Sequence, residues 1–379
     1  MTPGETLEYF EGRSDAIIDQ IREIVEIESP SHDAERSREV VDWIENAARA
    51  TGLELAIERY PTEADGDHLI IRAFPGDEKP VLLLGHTDTV HPVGTKAKNP
   101  TRIEGDRFYG CGTFDMKANI VLMLEALRYF KTSGTHPSRP INILLSCDEE
   151  VGSYTGREYV EREAAEAECC LVFEPSAAGR VKTGRKGTGM YVVRAHGVPA
   201  HAGLDPEKGA SAILELSRQI ERLHAMNLPD AGTTVNVCTA SGGTTTNVIP
   251  EHAECTVDVR FSSMAEAERI DAAIKALTPV DERVSLEVTG GINRPPMERT
   301  EAVVALFEKA RETAASFGYE LGETQVGGAS DGNFVGALGI PVLDGLGIAG
   351  DGAHTLHEHV LVSDIAKRAA LVTLLVSDL

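Results

Sequence analysis

Apolar residues recur at helical spacing over residues 14–28 (SDAIIDQIREIVEIE) and again over 34–52, which predicts two amphipathic helices opening the fold. The pattern then changes to short runs with no polar alternation: Val81–Leu84, Ile141–Leu145 and Leu171–Phe173. Turn or acidic residues bound each run, and helical stretches such as Met116–Phe130 separate them. Strands that are apolar on both faces belong in a sheet covered on both sides, so this part of the chain reads as α/β. From about Thr183 the texture differs. Met190–Ala195 and Thr233–Thr239 read as strands, Glu207–Leu223 and Ala265–Leu277 as helices, and Ala253–Phe261 alternates in polarity as a half-buried strand does. Gly290-Gly291 and Pro295-Pro296 then punctuate the chain, before the first texture returns with Val303–Phe317, Pro341–Leu343 and a closing helix from Leu361. The expected architecture is a catalytic α/β domain split over residues 1–182 and 293–379, with a mixed, mainly parallel sheet flanked by helices. Residues 183–292 form an inserted α+β domain.

Composition narrows the function. A chain of 379 residues suits two domains. A formal net charge of −24 repels phosphate backbones and anionic bilayers, so nucleic-acid and membrane partners are disfavoured. The first twenty residues carry early acids and no apolar run of secretory length, which leads us to expect a cytoplasmic protein. The six cysteines include no C-x-x-C pair, so neither a disulfide framework nor a thiolate zinc site is indicated.

Five segments carry candidate chemistry. His86 and Asp88 follow the run Val81–Leu84, at the kind of strand end where open α/β sheets place ligands; an acid two residues beyond a histidine suits a metal ligand steadied by a carboxylate. Asp115 lies in a glycine-rich loop, Gly110-Cys111-Gly112-Thr113-Phe114-Asp115, just before a helix. Asp148-Glu149-Glu150 follow Ile141–Leu145, and three acids at a buried strand end repel one another unless a cation neutralises them. Glu174 follows Leu171–Phe173. Near the carboxyl end, His354 and Glu358, or His357, fit one face of a helix. Each segment alone has a structural explanation, a helix cap or a solvated charge; five such coincidences in one chain rarely have five separate explanations of that kind.

With these residues in order over nearly the whole length, the chain resembles the zinc-dependent co-catalytic metallopeptidase family of carboxypeptidase G-type glutamate carboxypeptidases, acetylornithine deacetylases and succinyl-diaminopimelate desuccinylases. The resemblance implies two divalent ions, zinc or else cobalt or manganese, one held by His86, Asp115 and Glu174, the other by Asp115, Glu150 and His354. It implies Asp88 behind His86, Glu149 as general base, and a cis peptide after Asp115. The inserted domain would serve as lid and dimerisation domain through Ala200-His201-Ala202-Gly203, Asn247-Val248-Ile249-Pro250 and Asp258-Val259-Arg260. There His201 would stabilise the oxyanion in the partner subunit of a homodimer, while Asn247 and Arg260 would contact the substrate. Cys111 and Ala118 depart from residues common in relatives, but neither matches a ligand.

The expected activity is cleavage of an amide or peptide bond beside a free α-carboxylate, in a short peptide or small molecule, by a carboxypeptidase of the glutamate-releasing type. N-acyl-amino-acid deacylation is the alternative. Two rivals are set beside it. Gly328-Ala329-Ser330-Asp331-Gly332 fits the G-x-S-x-G pattern, with Asp344 or Asp351 and His354 to complete a serine-hydrolase triad. A non-catalytic binding homologue would have lost the base or a ligand, and this chain keeps all of them.

Overall fold

The computed structural model describes residues 2–379. The chain divides into two compact units, one comprising the chain up to Gly184 with Arg299–Gln325 and Ser330–Leu379, the other Arg185–Glu298 with Val326–Ala329.

In the first unit the amphipathic helices run Ser14–Glu26 and Ala34–Arg49. An unforeseen helix, Pro3–Gly12, precedes them, started by a reciprocal cap in which Thr2 Oγ1 accepts from the Glu5 amide and the Glu5 carboxylate from the Thr2 amide. The sheet contains strands β1 (Leu55–Pro61), β2 (Asp67–Ala73), β3 (Val81–His86), β4 (Ile141–Ser146) and β5 (Cys169–Val172), with Val342–Leu343 at its far edge. Their order is β1-β2-β4-β3-β5-(Val342–Leu343). Strand β2 is antiparallel to both β1 and β4, whereas β3 pairs in parallel with β4 and β5, and β5 with Val342–Leu343. Every residue of β3, β4 and β5 is buried, which is what their apolar runs require. Strand β1, at the sheet's edge, and its neighbour β2 escaped the sequence reading because LAIERYP is largely half-exposed and DHLIIRA opens on two polar residues.

In the second unit, β6 (Gly187–His196), β7 (Thr234–Gly242), β8 (His252–Phe261) and β9 (Ser285–Arg294) form an antiparallel sheet in the order β7-β8-β6-β9. Residues of helices Ala212–His224 and Met264–Lys275 share one apolar core with the buried positions of these strands. Two expectations are corrected. The first helix begins at Ala212 rather than Glu207, because Pro206–Lys208 form a separate tight turn and Ser211 Oγ caps the Leu214 amide at 3.2 Å. Gly290-Gly291 do not interrupt the chain: β9 runs through them, with Gly290 at φ +101°, where a Cβ would lie 2.1 Å from the Met190 carbonyl oxygen. Among the described residues no helix is long and apolar enough to cross a membrane.

Candidate metal centre

Strand order gathers the acids. From β3 the chain moves to β4 on one side and then to β5 on the other, so β3 lies at a switch point and the carboxyl ends of all three lie side by side. His86 ends β3, Glu149 and Glu150 follow β4, and Glu174 follows β5. Gly85 lets the Met116 side chain pass beneath this point: a Cβ there would lie 2.3 Å from Met116 Cε, while the Met116 sulfur takes the His86 amide at 3.3 Å. The Asp115–Met116 peptide is cis.

The donor atoms stand at the spacing of metal ligands. His86 Nε2 lies 3.2 Å from Asp115 Oδ1 and 3.5 Å from Glu174 Oε1. His354 Nε2 lies 3.4 Å from Asp115 Oδ2 and 3.2 Å from Glu150 Oε2. A charge-assisted N–H···O bond runs at roughly 2.7–2.9 Å. Two donors in tetrahedral array about an ion at about 2.1 Å stand roughly 3.4 Å apart. All four separations match the second figure better. Asp115 turns one oxygen to each histidine. The ligand atoms of His86, Asp115 and Glu150, and those of His86, Glu149 and Glu174, each fall within 4.8 Å of one another. Glu150 Oε1 is buried with no hydrogen-bond partner among the described residues, an orphan that a cation would satisfy. The donor set therefore fits divalent ions, and distance alone leaves Glu149 open as a ligand.

Electrostatics agree. Burial alone would lower the pKa of His86, but the carboxylates of Asp115, Asp88 and Glu174 outweigh it and hold the imidazole well above its usual value. The neighbouring carboxylates of Asp115 and Glu150 push His354 up to about 10. Burial would raise Asp115, yet His354 and His86 hold it well below the usual carboxylate range, whereas burial dominates at Glu150 and raises it.

Asp88 steadies the centre in two ways. His86 Nδ1 donates to the Asp88 backbone oxygen at 3.0 Å, with the Asp88 carboxylate 3.4 Å away. That carboxylate accepts from the amides of Glu149 (3.1 Å) and Glu150 (3.2 Å) and from Ser31 Oγ (2.7 Å), so it also fixes the turn that carries both acids. Asp148 does not join its neighbours. It turns away, accepting from the Thr155 amide and hydroxyl at 2.7 and 2.8 Å and the Gly156 amide at 3.3 Å, and burial raises its pKa.

One further expectation is corrected, and one rival reading is removed. His354 and Glu358 do not share a helical face, because residues 352–358 form turns, with Gly352 and His354 both at positive φ (+83° and +64°). Glu358 instead points inward, its carboxylate accepting from the amides of Gly112, Phe114 and Asp115 and from His91 Nε2. Sequence reasoning missed His91 altogether. Ser330 is no nucleophile: it is fully buried, its hydroxyl donates to Asp344 Oδ2 at 2.6 Å, and the imidazole of His354 faces Asp115 and Glu150.

His201, Asn247 and Arg260 belong to the second unit. His201 is exposed and bridges to Val248, with the Ala202 amide donating to the Asn247 carbonyl at 2.9 Å, so the two motifs are paired. His201 Nδ1 accepts from the amides of Gly203 and Leu204, both at 3.1 Å, which places the ring proton on Nε2. Arg260 engages Asp258 through Nε (2.9 Å) and Nη2 (2.8 Å).

Comparison with known proteins gives the family. The sequence profile of peptidase family M20/M25/M40 matches residues 82–378. The chain is 32% identical over 377 residues to carboxypeptidase G2 of Pseudomonas sp. (strain RS-16), covering 96% of this chain and 89% of that protein. It is 28% identical over 326 residues to the succinyl-diaminopimelate desuccinylase of Dinoroseobacter shibae, covering 78% and 82% respectively. Among solved structures, an aminopeptidase PepT from Bacillus cereus superposes with a TM-score of 0.76 at 23% identity, over 96% of this chain and 98% of its own, which shows a shared fold. A profile match over most of the chain, a relative above 30% identity along nearly its full length, and a partly buried His/Asp/Glu cluster at the sheet's switch point converge: the chain belongs to peptidase family M20/M25/M40, the metal-dependent peptidases.

Proposed function

We propose that this peptidase holds two divalent ions, zinc with cobalt and manganese as functional substitutes, one on His86, Asp115 and Glu174 and the other on Asp115, Glu150 and His354. The observation that carries this reading is the Asp115 carboxylate, whose two oxygens face two different histidines. Three carboxylates and two imidazoles are a donor set suited to zinc. Ions of this kind polarise a substrate carbonyl and make water acidic enough to attack at neutral pH. Glu149 takes the proton from the attacking water and returns it to the leaving amine nitrogen, its turn held by the amide bond to Asp88. His201, with its proton on Nε2, supplies the donor that meets the developing oxyanion in the partner subunit of a homodimer. Mixing His201→Ala protein with Glu149→Ala protein should restore activity through dimers that retain one intact composite site; heterodimers that form and stay inactive would refute the trans role.

The substrate reading places an α-carboxylate on Arg260. Asp258 uses the Nε and Nη2 side of the guanidinium, which leaves the Nη1 edge to a ligand oxygen, and Asn247 adds a side-chain amide. The likeness to carboxypeptidase G2 makes release of a C-terminal amino acid, glutamate first, the leading choice; the likeness to desuccinylases favours N-acyl-amino-acid deacylation as the second. The fold itself does not decide, since an aminopeptidase shares it. A panel of N-acyl amino acids and dipeptides, each beside its C-terminal amide, tests the point. Losing a charged hydrogen bond costs about 1.5–3 kcal/mol, so kcat/KM on the amides should fall roughly 10–100-fold. Equal rates on acid and amide would refute recognition of a carboxylate by Arg260.

A further inference from the structure

Glu358 is 0% exposed, and its carboxylate holds three segments of the first unit together. Oε1 accepts from the amides of Phe114 and Asp115, both at 2.9 Å, and Oε2 from the Gly112 amide at 2.8 Å and from His91 Nε2 at 2.7 Å. Its own carbonyl also takes the Gly110 amide, at 3.3 Å. Gly112–Asp115 is the loop that aims Asp115, His91 lies five residues beyond His86 in the segment leaving β3, and His354 precedes Glu358 in the same run of turns. One buried carboxylate therefore ties together the segments bearing His86, Asp115 and His354.

A carboxylate withdrawn from water is costly unless its lone pairs are satisfied, and here two N–H groups meet each oxygen. The arrangement also solves a local problem. Residues 113–117 depart from regular helix at Asp115 and Met116, and the amides of Phe114 and Asp115 find their acceptor in Glu358. Asn119 braces the same loop from the other side, its Nδ2 donating to the Phe114 carbonyl at 3.1 Å while its Oδ1 accepts the Ile348 amide at 3.0 Å.

We propose that Glu358, braced by His91, is a positioning residue that sets how Asp115 divides its carboxylate between His86 and His354. It acts through the backbone of residues 112–115 and contacts no metal itself. The proposal rests on the two-metal reading above. In Glu358→Gln the side chain keeps its size, but its NH2 cannot accept from Gly112 or His91, so the loop is released on one side only.

The test compares wild-type and Glu358→Gln protein loaded with zinc or cobalt. Partners of this kind, one bond behind the ligands, typically change metal affinity or activity by about 10–100-fold, so chelator competition should show zinc affinity weakened within that range. The visible bands of the cobalt protein should shift, and kcat should fall while KM stays within about twofold. A variant with wild-type zinc affinity and an unchanged cobalt spectrum overturns the proposal, even if its melting temperature has dropped. If Glu358→Gln does not fold, His91→Phe carries the test, with a smaller shift in the same direction expected and no change in affinity or spectrum overturning it. Wild-type protein that binds no metal would instead sink the two-metal reading, and this proposal with it.

Discussion

Glu149→Ala should lower kcat by about 10²–10⁴-fold, roughly 3–5 kcal/mol of barrier, with little change in KM. A positioned general base acts on the attacking water in the transition state and makes no contact that ground-state binding needs. Its loss should therefore appear in kcat and kcat/KM together. Glu149 sits on the turn after β4 with its amide bonded to Asp88 at 3.1 Å, and Glu150 beside it makes its own bond to the other Asp88 oxygen at 3.2 Å. Truncating the Glu149 side chain leaves both anchors in place. A loss confined to KM would show that the residue binds substrate instead. Steady-state rates on the best substrate of the acid and amide panel supply the measurement.

Asp115→Ala should abolish hydrolysis outright and strip both ions, because it removes the one carboxylate that faces both histidines. Dialysis of wild-type protein against a strong chelator should give the same inactive state, and zinc, cobalt or manganese should restore it. The variant should stay inactive whatever is added. Calorimetry gives a reading independent of turnover: an ion at about 1,000 times its Kd stabilises the native state by about 4 kcal/mol, so the wild-type melting temperature should rise with added zinc. The Asp115→Ala melting temperature should not move. Full activity in chelated protein shown to be metal-free would refute metal-dependent chemistry in this chain.

How much of this could be read from the sequence depended on whether the signal was local. His86, Glu150 and Glu174 were legible because each follows a run buried on both faces, so the strand marks the place and the residue marks the chemistry. His354 was legible only as part of a histidine cluster near the carboxyl end. Its relation to Glu358 was misread, since helical spacing was assumed where positive φ at Gly352 and His354 turns the chain instead. The inward aim of Glu358 and its bond to His91 join residues 267 positions apart, and no local pattern announces such a pair. Asp148 looked like its two neighbours in the acid run; only the folded loop shows it turned towards Thr155 and Gly156. The G-x-S-x-G match at Ser330 failed for the opposite reason, a correct local pattern in a buried place. Gly290-Gly291 read as a break because glycine usually marks one, whereas at Gly290 the neighbouring strand approaches too closely for any side chain.

In the proposed centre five side chains hold two ions and Glu149 holds none, yet distance by itself does not separate Glu149 from the ligands, since it lies with His86 and Glu174 within the same 4.8 Å cluster. Elemental analysis of purified Glu149→Ala beside wild-type protein separates them. Two equivalents of metal per chain are expected in both proteins, with the variant inactive. One equivalent or none in Glu149→Ala, against two in wild-type, would make Glu149 a ligand and contradict the assignment of the base.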